Sequence, residues 1–209
     1  MTAPAGRAED GRTTATTDPA TDRNPTPDTD VVALLMAQHG QIRNLFDEVE
    51  QSSGDARRDA FRRLVRLLAV HETAEEEAVH PYVKRTADGG DDIVADRLGE
   101  EKAAKQALSA LDGMDVEDEA FLPRLLSLRT DVMEHARAEE RYEFSQLRRL
   151  NDPARLAAMA KAVKAAEGTA PTHPHPGVES GAANAVLGPM AAVVDRTRDA
   201  VRKALGKDG

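Results

Sequence analysis

Two short phrases of the sequence carry residues that could bind a metal ion. His71-Glu72-Thr73-Ala74-Glu75-Glu76 recurs as His135-Ala136-Arg137-Ala138-Glu139-Glu140. In each phrase a histidine precedes a glutamate by four residues, which places both side chains on one face of a helix, one turn apart. Two such helices that face each other would aim two imidazoles and two carboxylates at one point. Helical bundles build interior metal sites in this way.

The helices that must position these phrases are visible in the spacing of the apolar residues. Along four segments these residues follow each other in steps of three and four, which is typical of amphipathic helices. Short polar segments separate the four, and a further helix is predicted from Pro153 to about Ala166. We therefore predict an all-α fold, an up-down-up-down four-helix bundle with extra C-terminal helices.

The composition divides the chain into four parts. Residues 1–28 are rich in Thr, Pro, Asp and Gly, and we expect a disordered tail there. The bundle is expected over residues 29–167, and a stiff linker rich in Pro and Gly over residues 168–182. Residues 183–206 are expected to form an amphipathic helix. That helix is predicted to pack on the bundle, with docking of a protein partner or of an anionic membrane surface as alternatives.

The composition also excludes several classes of function. The chain has 209 residues and no cysteine, which excludes disulfides, thiolate zinc sites and iron–sulfur clusters. The formal net charge of −9 argues against nucleic acid as the main partner. No apolar run is long enough to cross a bilayer, and the N-terminus has no signal core. We expect a cytoplasmic protein without an integral membrane segment.

Five polar residues occupy helix positions that the spacing reserves for the core. They are His39, His71, Glu75, His135 and Glu139. Burial of an unpaired carboxylate is costly, so such groups converging on one interior need a cation. A divalent metal ion takes neutral imidazole and carboxylate as ligands, and these donors favour iron, manganese or zinc. The alternative is a polar core of hydrogen bonds between the helices.

At this point the pattern resembles a known family, the hemerythrin-like or HHE cation-binding domain. The resemblance covers about residues 31–150 and rests on a lone histidine in Gln38-His39-Gly40-Gln41-Ile42 and on the two His-x-x-x-Glu pairs. It implies a bundle around a non-haem di-iron centre, with two irons per chain. By that resemblance Glu75 and Glu139 would bridge the irons. The terminal ligands would be His39, His71 and His135.

The third helix departs from the family pattern. Family members usually have a ligand histidine there, where this chain has Lys102. A protonated lysine cannot coordinate a metal, so we expect one metal to have fewer protein ligands and an open position. Lys102 and Tyr142 are candidate catalytic residues, because either could stabilise bound peroxide by donating a hydrogen bond.

Further residues could complete the ligand set. Glu101 lies near the face of the third helix that is predicted to point into the bundle, and it could contribute a carboxylate. Tyr142 or Tyr82 could coordinate iron or cap the core. His80 lies about 180° around its helix from His71, and we expect a surface residue or an outer partner there, with coordination as the alternative. Glu76 and Glu140 could hold imidazoles from outside or be solvated.

The leading functional hypothesis is a non-haem iron protein that binds or reacts with a small oxidant. The resemblance implies dioxygen, hydrogen peroxide or nitric oxide as the ligand and a place in oxidative or nitrosative stress handling. Whether the protein is an enzyme stays open, with catalase-like or peroxidase-like turnover as the candidate reactions. The alternatives are a metal or oxygen sensor without turnover and an interaction bundle.

Overall fold

A computed structural model describes residues 26–27, 29–169, 195–196, 198–200 and 202–203 of the chain, with no side-chain description for 166–169. Within these residues every regular element is a helix and none is a strand, which confirms the predicted all-α class. Residues 1–25 of the predicted tail lie outside the described part. Most of the predicted linker and much of the last predicted helix lie outside it as well.

The first helix, α1 (Val31–Gln51), begins at a side-chain cap. The Asp30 carboxylate accepts hydrogen bonds from the backbone N–H groups of Val32, at 2.8 Å, and Ala33, at 3.1 Å. These two N–H groups have no partner inside the helix, so the cap fixes where the helix starts.

Two of the bundle helices are interrupted by a π-helical turn. Helix α2 (Gly54–Ala74) continues through the turn Glu75–Val79 into α3 (His80–Thr86). Helix α5 (Phe121–Glu139) continues in the same way through Glu140–Phe144 into α6 (Ser145–Leu150). A π-helical turn holds about one residue more than an α-helical turn, so the residues that follow it are rotated by about 100°.

The remaining helices are α4 (Gly90–Asp112) and α7 (Pro153–Thr169). The connection from α3 to α4 is tight. Gly89 has a φ of +69°, and a Cβ atom added to Gly90 would lie 2.4 Å from the carbonyl oxygen of Val83. Glycine is needed at both positions because a side chain would be strained at the first and would collide with backbone at the second.

The short connections make successive bundle helices antiparallel neighbours. Helix α1 packs on α2, α5 and α7, while α4 packs on α5 and α3. The apolar side chains form two clusters. One cluster, which we call the α7 cluster, includes Leu35, Val79, Phe144, Leu147 and Val163. The other, the phenylalanine cluster, includes Phe46, Phe61, Leu64, Leu111 and Phe121.

No helix among the described residues is both long enough and apolar enough to span a membrane.

Candidate metal centre

A layer of buried polar residues separates the two apolar clusters. Along each bundle helix, the residues of one cluster are followed by polar residues and then by the residues of the other cluster. The buried members of the layer are Gln38, His39, His71, Glu72, Glu75, His80, Glu101, His135, Glu139 and Glu143. The apolar clusters therefore close the layer on both sides along the bundle.

Four residues from three helices form the first group of candidate ligands. His39, His71, Glu75 and Glu139 each present a ligand atom, and these atoms all lie within 4.8 Å of one another. The Nε2 atoms of His39 and His71 are 3.1 Å apart. Each faces a carboxylate: His39 Nε2 lies 3.4 Å from Glu139 Oε2, and His71 Nε2 lies 3.4 Å from Glu75 Oε2.

A second group lies beside the first. It contains Glu72, Glu101 and His135, whose ligand atoms are also within 4.8 Å of one another. Glu139 connects the two groups, because its Oε1 lies 3.2 Å from Nε2 of His135 while its Oε2 faces His39. One carboxylate therefore presents one oxygen to each group, as a bridging ligand would.

The outward nitrogen of each of three histidines is held by an acceptor. Nδ1 of His39 lies 2.9 Å from a Glu140 oxygen, and Nδ1 of His71 lies 2.7 Å from the Gln38 side-chain oxygen. Nδ1 of His135 lies 2.9 Å from Glu100. Such contacts fix the tautomer and leave Nε2 free to coordinate, and metal-binding histidines are usually held in this way.

Several inward atoms, in contrast, lack hydrogen-bond partners. Both carboxylate oxygens of Glu75 and of Glu139 are buried without a hydrogen bond, and so are Glu72 Oε2 and His135 Nε2. A buried polar atom without a partner is costly. A divalent cation would satisfy all of these atoms at once, and imidazole with carboxylate is a donor set that iron accepts. The residues present therefore fit an iron centre.

The two His-x-x-x-Glu pairs differ in how they hold protons. Burial, with the nearby His39, lowers the pKa of His71 well below its usual value. Burial also raises the pKa of Glu75 well above its usual value, and the neighbouring Glu139 adds to the rise. Both shifts favour the neutral form of the first pair, with the proton on the carboxyl group.

The second pair is charged. Burial lowers the pKa of His135, but the close contact with Glu139 and the charge of that carboxylate outweigh burial and raise the pKa to about 10. Burial raises the pKa of Glu139, yet His135 and His39 outweigh burial and hold it well below its usual value. Close by, burial and the charge of Glu101 raise the pKa of Glu72 to about 8.

The structure brings together the five polar residues that the sequence places at core positions, and Glu101 lies with them. The five are His39, His71, Glu75, His135 and Glu139. It does not bring Lys102 to the centre, because Lys102 is exposed. One residue corresponds to about 100° around a helix, so Lys102 points outward when Glu101 points inward. The lysine beside the centre is Lys105, whose Nζ lies 3.5 Å from Glu101 Oε2 and forms an ion pair with Glu76.

Tyr142 also lies away from the centre, with 48% of its surface exposed. In an uninterrupted α-helix this residue would stay on the face of Glu139. The π-helical turn rotates it outward and places Glu143 inside, where it is fully buried. Tyr82 is half-buried, and its hydroxyl donates to the carbonyl oxygen of Leu150 at 3.2 Å.

The same effect corrects the placement of His80. The expected surface position assumed a regular helix, but the turn Glu75–Val79 rotates His80 into the interior, where it is 2% exposed. Its Nδ1 lies 2.9 Å from Glu143 and its Nε2 lies 2.5 Å from Glu101. Burial lowers the pKa of His80, but these two hydrogen bonds outweigh burial and raise it to about 10.

Sequence reasoning missed two inward carboxylates and two outer partners. Glu72 lies three residues before Glu75, and Glu143 lies four residues after Glu139, so the helical spacing could have indicated both. The outer partners, Gln38 and Glu100, give no such signal, because each contacts a histidine of another helix.

The chain belongs to the hemerythrin family, because the model of the hemerythrin HHE cation binding domain matches residues 30–147. This is a cation-binding helical domain, as the resemblance implied. The chain is also similar to a DNA nickase from Nostoc sp. (strain PCC 7120 / SAG 25.82 / UTEX 2576), with 26% identity over 122 residues. The match covers 58% of this chain and 34% of the nickase, so the chain spans about a third of that relative. No solved structure matches the chain.

Proposed function

We propose that this protein is a non-haem di-iron protein that binds or reacts with a small oxidant such as dioxygen, hydrogen peroxide or nitric oxide. The observation that carries the proposal is the orientation of three histidines. Each is held at Nδ1 from outside, and each turns Nε2 toward Glu75 or Glu139, whose oxygens make no hydrogen bonds. Interhelical hydrogen bonds alone would not leave these atoms without partners.

The residues sort into positions for two ions. His39 and His71 would hold one iron, while Glu72, Glu101 and His135 would hold the other. Glu139 would bridge them, since its two oxygens face His39 and His135. Glu75 would join the first iron and is the second candidate bridge. The bound irons would supply redox chemistry and coordination positions open to a small ligand.

The protein's own residues would exclude water from the centre and balance its charge. The two apolar clusters keep bulk water from the centre, which strengthens every charge interaction inside. Lys105 lies beside Glu101 and carries its proton, because its ion pair with Glu76 outweighs burial and raises its pKa. We infer that Lys105, rather than Lys102, offsets negative charge on the side of α4.

Metal analysis tests the proposal directly. We expect protein loaded anaerobically with Fe²⁺ to retain about two irons per chain after desalting, with near-ultraviolet absorption after exposure to air. Zinc would leave the protein colourless, and manganese would be identified by elemental analysis. Retention of clearly fewer than two ions per chain, whichever of the three metals is loaded, would contradict the proposal.

A matched pair of variants locates the ions. We expect His135→Ala to lose metal, because it removes a ligand. Lys102→Met is the control, because it changes an exposed residue of α4, and it should keep the metal content of the unmodified protein. Peroxide consumption by the iron-loaded protein then decides between an enzyme and a binding protein.

A specific contact favours a second candidate function, that of a sensor. Glu77 lies in the π-helical turn that separates Glu75 from His80, and it receives hydrogen bonds from Arg198, at 2.9 Å, and Arg202, at 3.0 Å. A change at the centre that shifts this turn would alter these contacts. If the protein is a sensor, oxidation of the iron-loaded protein should speed proteolysis near Arg198, and Glu77→Gln should mimic that effect in the reduced protein. Equal cleavage in both states would exclude this candidate.

A further inference from the structure

Two buried groups are left over by the proposed di-iron centre. His80 and Glu143 follow the two His-x-x-x-Glu pairs, and both are buried, His80 directly after one π-helical turn and Glu143 within the other. They contact each other at 2.9 Å. Both helices therefore add one more residue of a metal-binding type at the same level of the bundle.

These groups meet Glu139 to form a third cluster. The ligand atoms of His80, Glu139 and Glu143 lie within 4.8 Å of one another. Glu139 and Glu143 are fully buried, and His80 is 2% exposed. Glu143 Oε1 makes no hydrogen bond, although it is buried beside the imidazole. In an acidic cluster that binds no ligand, each buried carboxylate oxygen is expected to have a hydrogen-bond partner. An oxygen without one therefore indicates a place for a ligand.

The charges within the layer also leave room for another cation. Among the described residues the layer contains five buried glutamates: Glu72, Glu75, Glu101, Glu139 and Glu143. Two divalent ions would balance four of these carboxylates. Lys105 lies beside Glu101 at the edge of the layer, and on the side of Glu143 a fifth charge is balanced by a proton on His80 or by a further metal ion. A carboxylate has two oxygens with about four lone-pair sites, so Glu139 can be shared between neighbouring ions.

We propose that His80, Glu139 and Glu143 form a third position for a divalent cation of the Fe²⁺, Mn²⁺ or Zn²⁺ class, beside the two-iron centre. This inference rests on the proposed function, because Glu139 belongs to both sites. The third ion binds more weakly than the first two. It must displace short contacts of both His80 nitrogens, with Glu143 at 2.9 Å and with Glu101 at 2.5 Å. The Nδ1 contacts of the histidines at the first two positions are made from outside the centre, so they stay in place when an ion binds.

Equilibrium dialysis of the full-length, metal-free protein against Zn²⁺ tests the proposal, with bound metal measured by elemental analysis. We expect the unmodified protein to reach three ions per chain, two tightly bound and one weaker by about tenfold or more. Glu143→Gln and His80→Gln should each stop at two ions and keep the tight pair. The matched control is Tyr142→Phe, which changes the exposed neighbour of Glu143 and should still reach three.

The outcomes separate this proposal from the proposed function. Saturation of the unmodified protein at two ions would overturn the third position and leave the two-ion centre standing. Saturation below two would overturn both. Retention of the third ion by a folded Glu143→Gln variant would also overturn the assignment. If either Gln variant fails to fold, Glu143→Asp keeps the charge but withdraws the carboxylate, and it should weaken only the third ion, by about tenfold.

Discussion

The two His-x-x-x-Glu pairs have the same spacing but opposite charge states. In α2 the histidine is neutral and Glu75 keeps its proton, whereas in α5 His135 and Glu139 form a buried ion pair. The outer partners of the histidines differ in the same sense. Nδ1 of His71 contacts the neutral amide of Gln38, while Nδ1 of His135 contacts the carboxylate of Glu100. A charged outer partner favours imidazolium, and a neutral one does not.

The surroundings of the two pairs reinforce the difference. His71 lies against a second imidazole, that of His39, and this neighbour helps to lower the pKa of His71. His135 instead faces Glu139 and lies near the carboxylate of Glu72. An identical local motif can therefore hold its proton on either member, and the residues that other helices supply decide which one.

The largest expected effect comes from replacing Glu139 or Glu75 by glutamine, one at a time, in the metal-free protein. Glu139→Gln breaks a buried ion pair, a change that costs about 3–5 kcal/mol, so we expect the melting temperature to fall by about 10 °C. Glu75→Gln should leave it unchanged or raise it, because Glu75 is already protonated. Differential scanning calorimetry of both variants measures this contrast. Equal losses would show that the two pairs have the same charge state. Both variants should also bind less iron.

The pH dependence of the metal-free protein gives the next largest effect. The pKa of His80 and of His135 is about 10 in the folded protein and about 6.5 in the unfolded chain. Between these values the folded state binds more protons, so stability is full below about pH 6.5 and is lost as the pH rises toward 10. Glu72 acts in the same direction, because its pKa is raised to about 8.

We therefore expect the metal-free protein to melt about 5 °C or more lower at pH 9 than at pH 6.5. Metal ions compete with protons for the same atoms, so the loaded protein should lose little or no stability over this range. His135→Gln should flatten the decline of the metal-free form. Denaturant titrations at several pH values measure these slopes, and a metal-free protein that gains stability toward pH 9 would contradict the assigned charge states.

Exchanging the types of outer partner that hold His71 and His135 should shift the pKa values of the two histidines toward each other. Glu100→Gln gives His135 a neutral partner and should lower its pKa, while Gln38→Glu should raise that of His71. We expect a change in metal affinity of about tenfold in each variant, the usual size for such partners. Titration of the imidazole signals by nuclear magnetic resonance measures the pKa values, and competition with a chelator measures the affinity. Unchanged imidazole titration would show that the outer partners do not set the charge state.

The smallest effect concerns the two lysines of α4. Lys105→Met removes a partly exposed cation beside Glu101 and Glu76, and we expect a loss of stability below about 1 kcal/mol in the metal-free protein. Lys102→Met changes an exposed residue and should have no measurable effect. Chemical denaturation of the two variants in parallel compares them. A larger loss for Lys102→Met would mean that the outward direction of this lysine is wrong.

The sequence was sufficient to predict the all-α fold and the convergence of His39, His71, Glu75, His135 and Glu139. Both depend on a spacing of three and four residues, which a regular helix turns directly into a shared face. The positions of His80 and Tyr142 could not be predicted in the same way. Each of these residues follows or lies within a π-helical turn, and a regular spacing cannot anticipate the extra residue of that turn.

The misplacement of Lys102 has a different cause. Its assignment came from the family pattern for the third helix, while the direction of a side chain depends on how α4 packs against its neighbours. The sequence places Glu101 and Lys102 side by side, and tertiary packing selects which of the two faces the interior. Desolvation favours burial of the glutamate that His80 and Lys105 can partner over burial of a lysine without such contacts.

Because of the two π-helical turns, the side chains that point into the bundle after each His-x-x-x-Glu pair depend on the number of residues in the turn as well as on their identity. Removal of one residue from Glu75–Val79 would restore a regular helix and swing α3 by about 100°, which would turn His80 toward solvent and bring a different side chain inward. A relative with uninterrupted helices would therefore align with this chain only through a one-residue gap in each of the two helices. Placing those gaps wrongly would pair His80 and Glu143 with residues on another face, and comparisons across the family would then miss them.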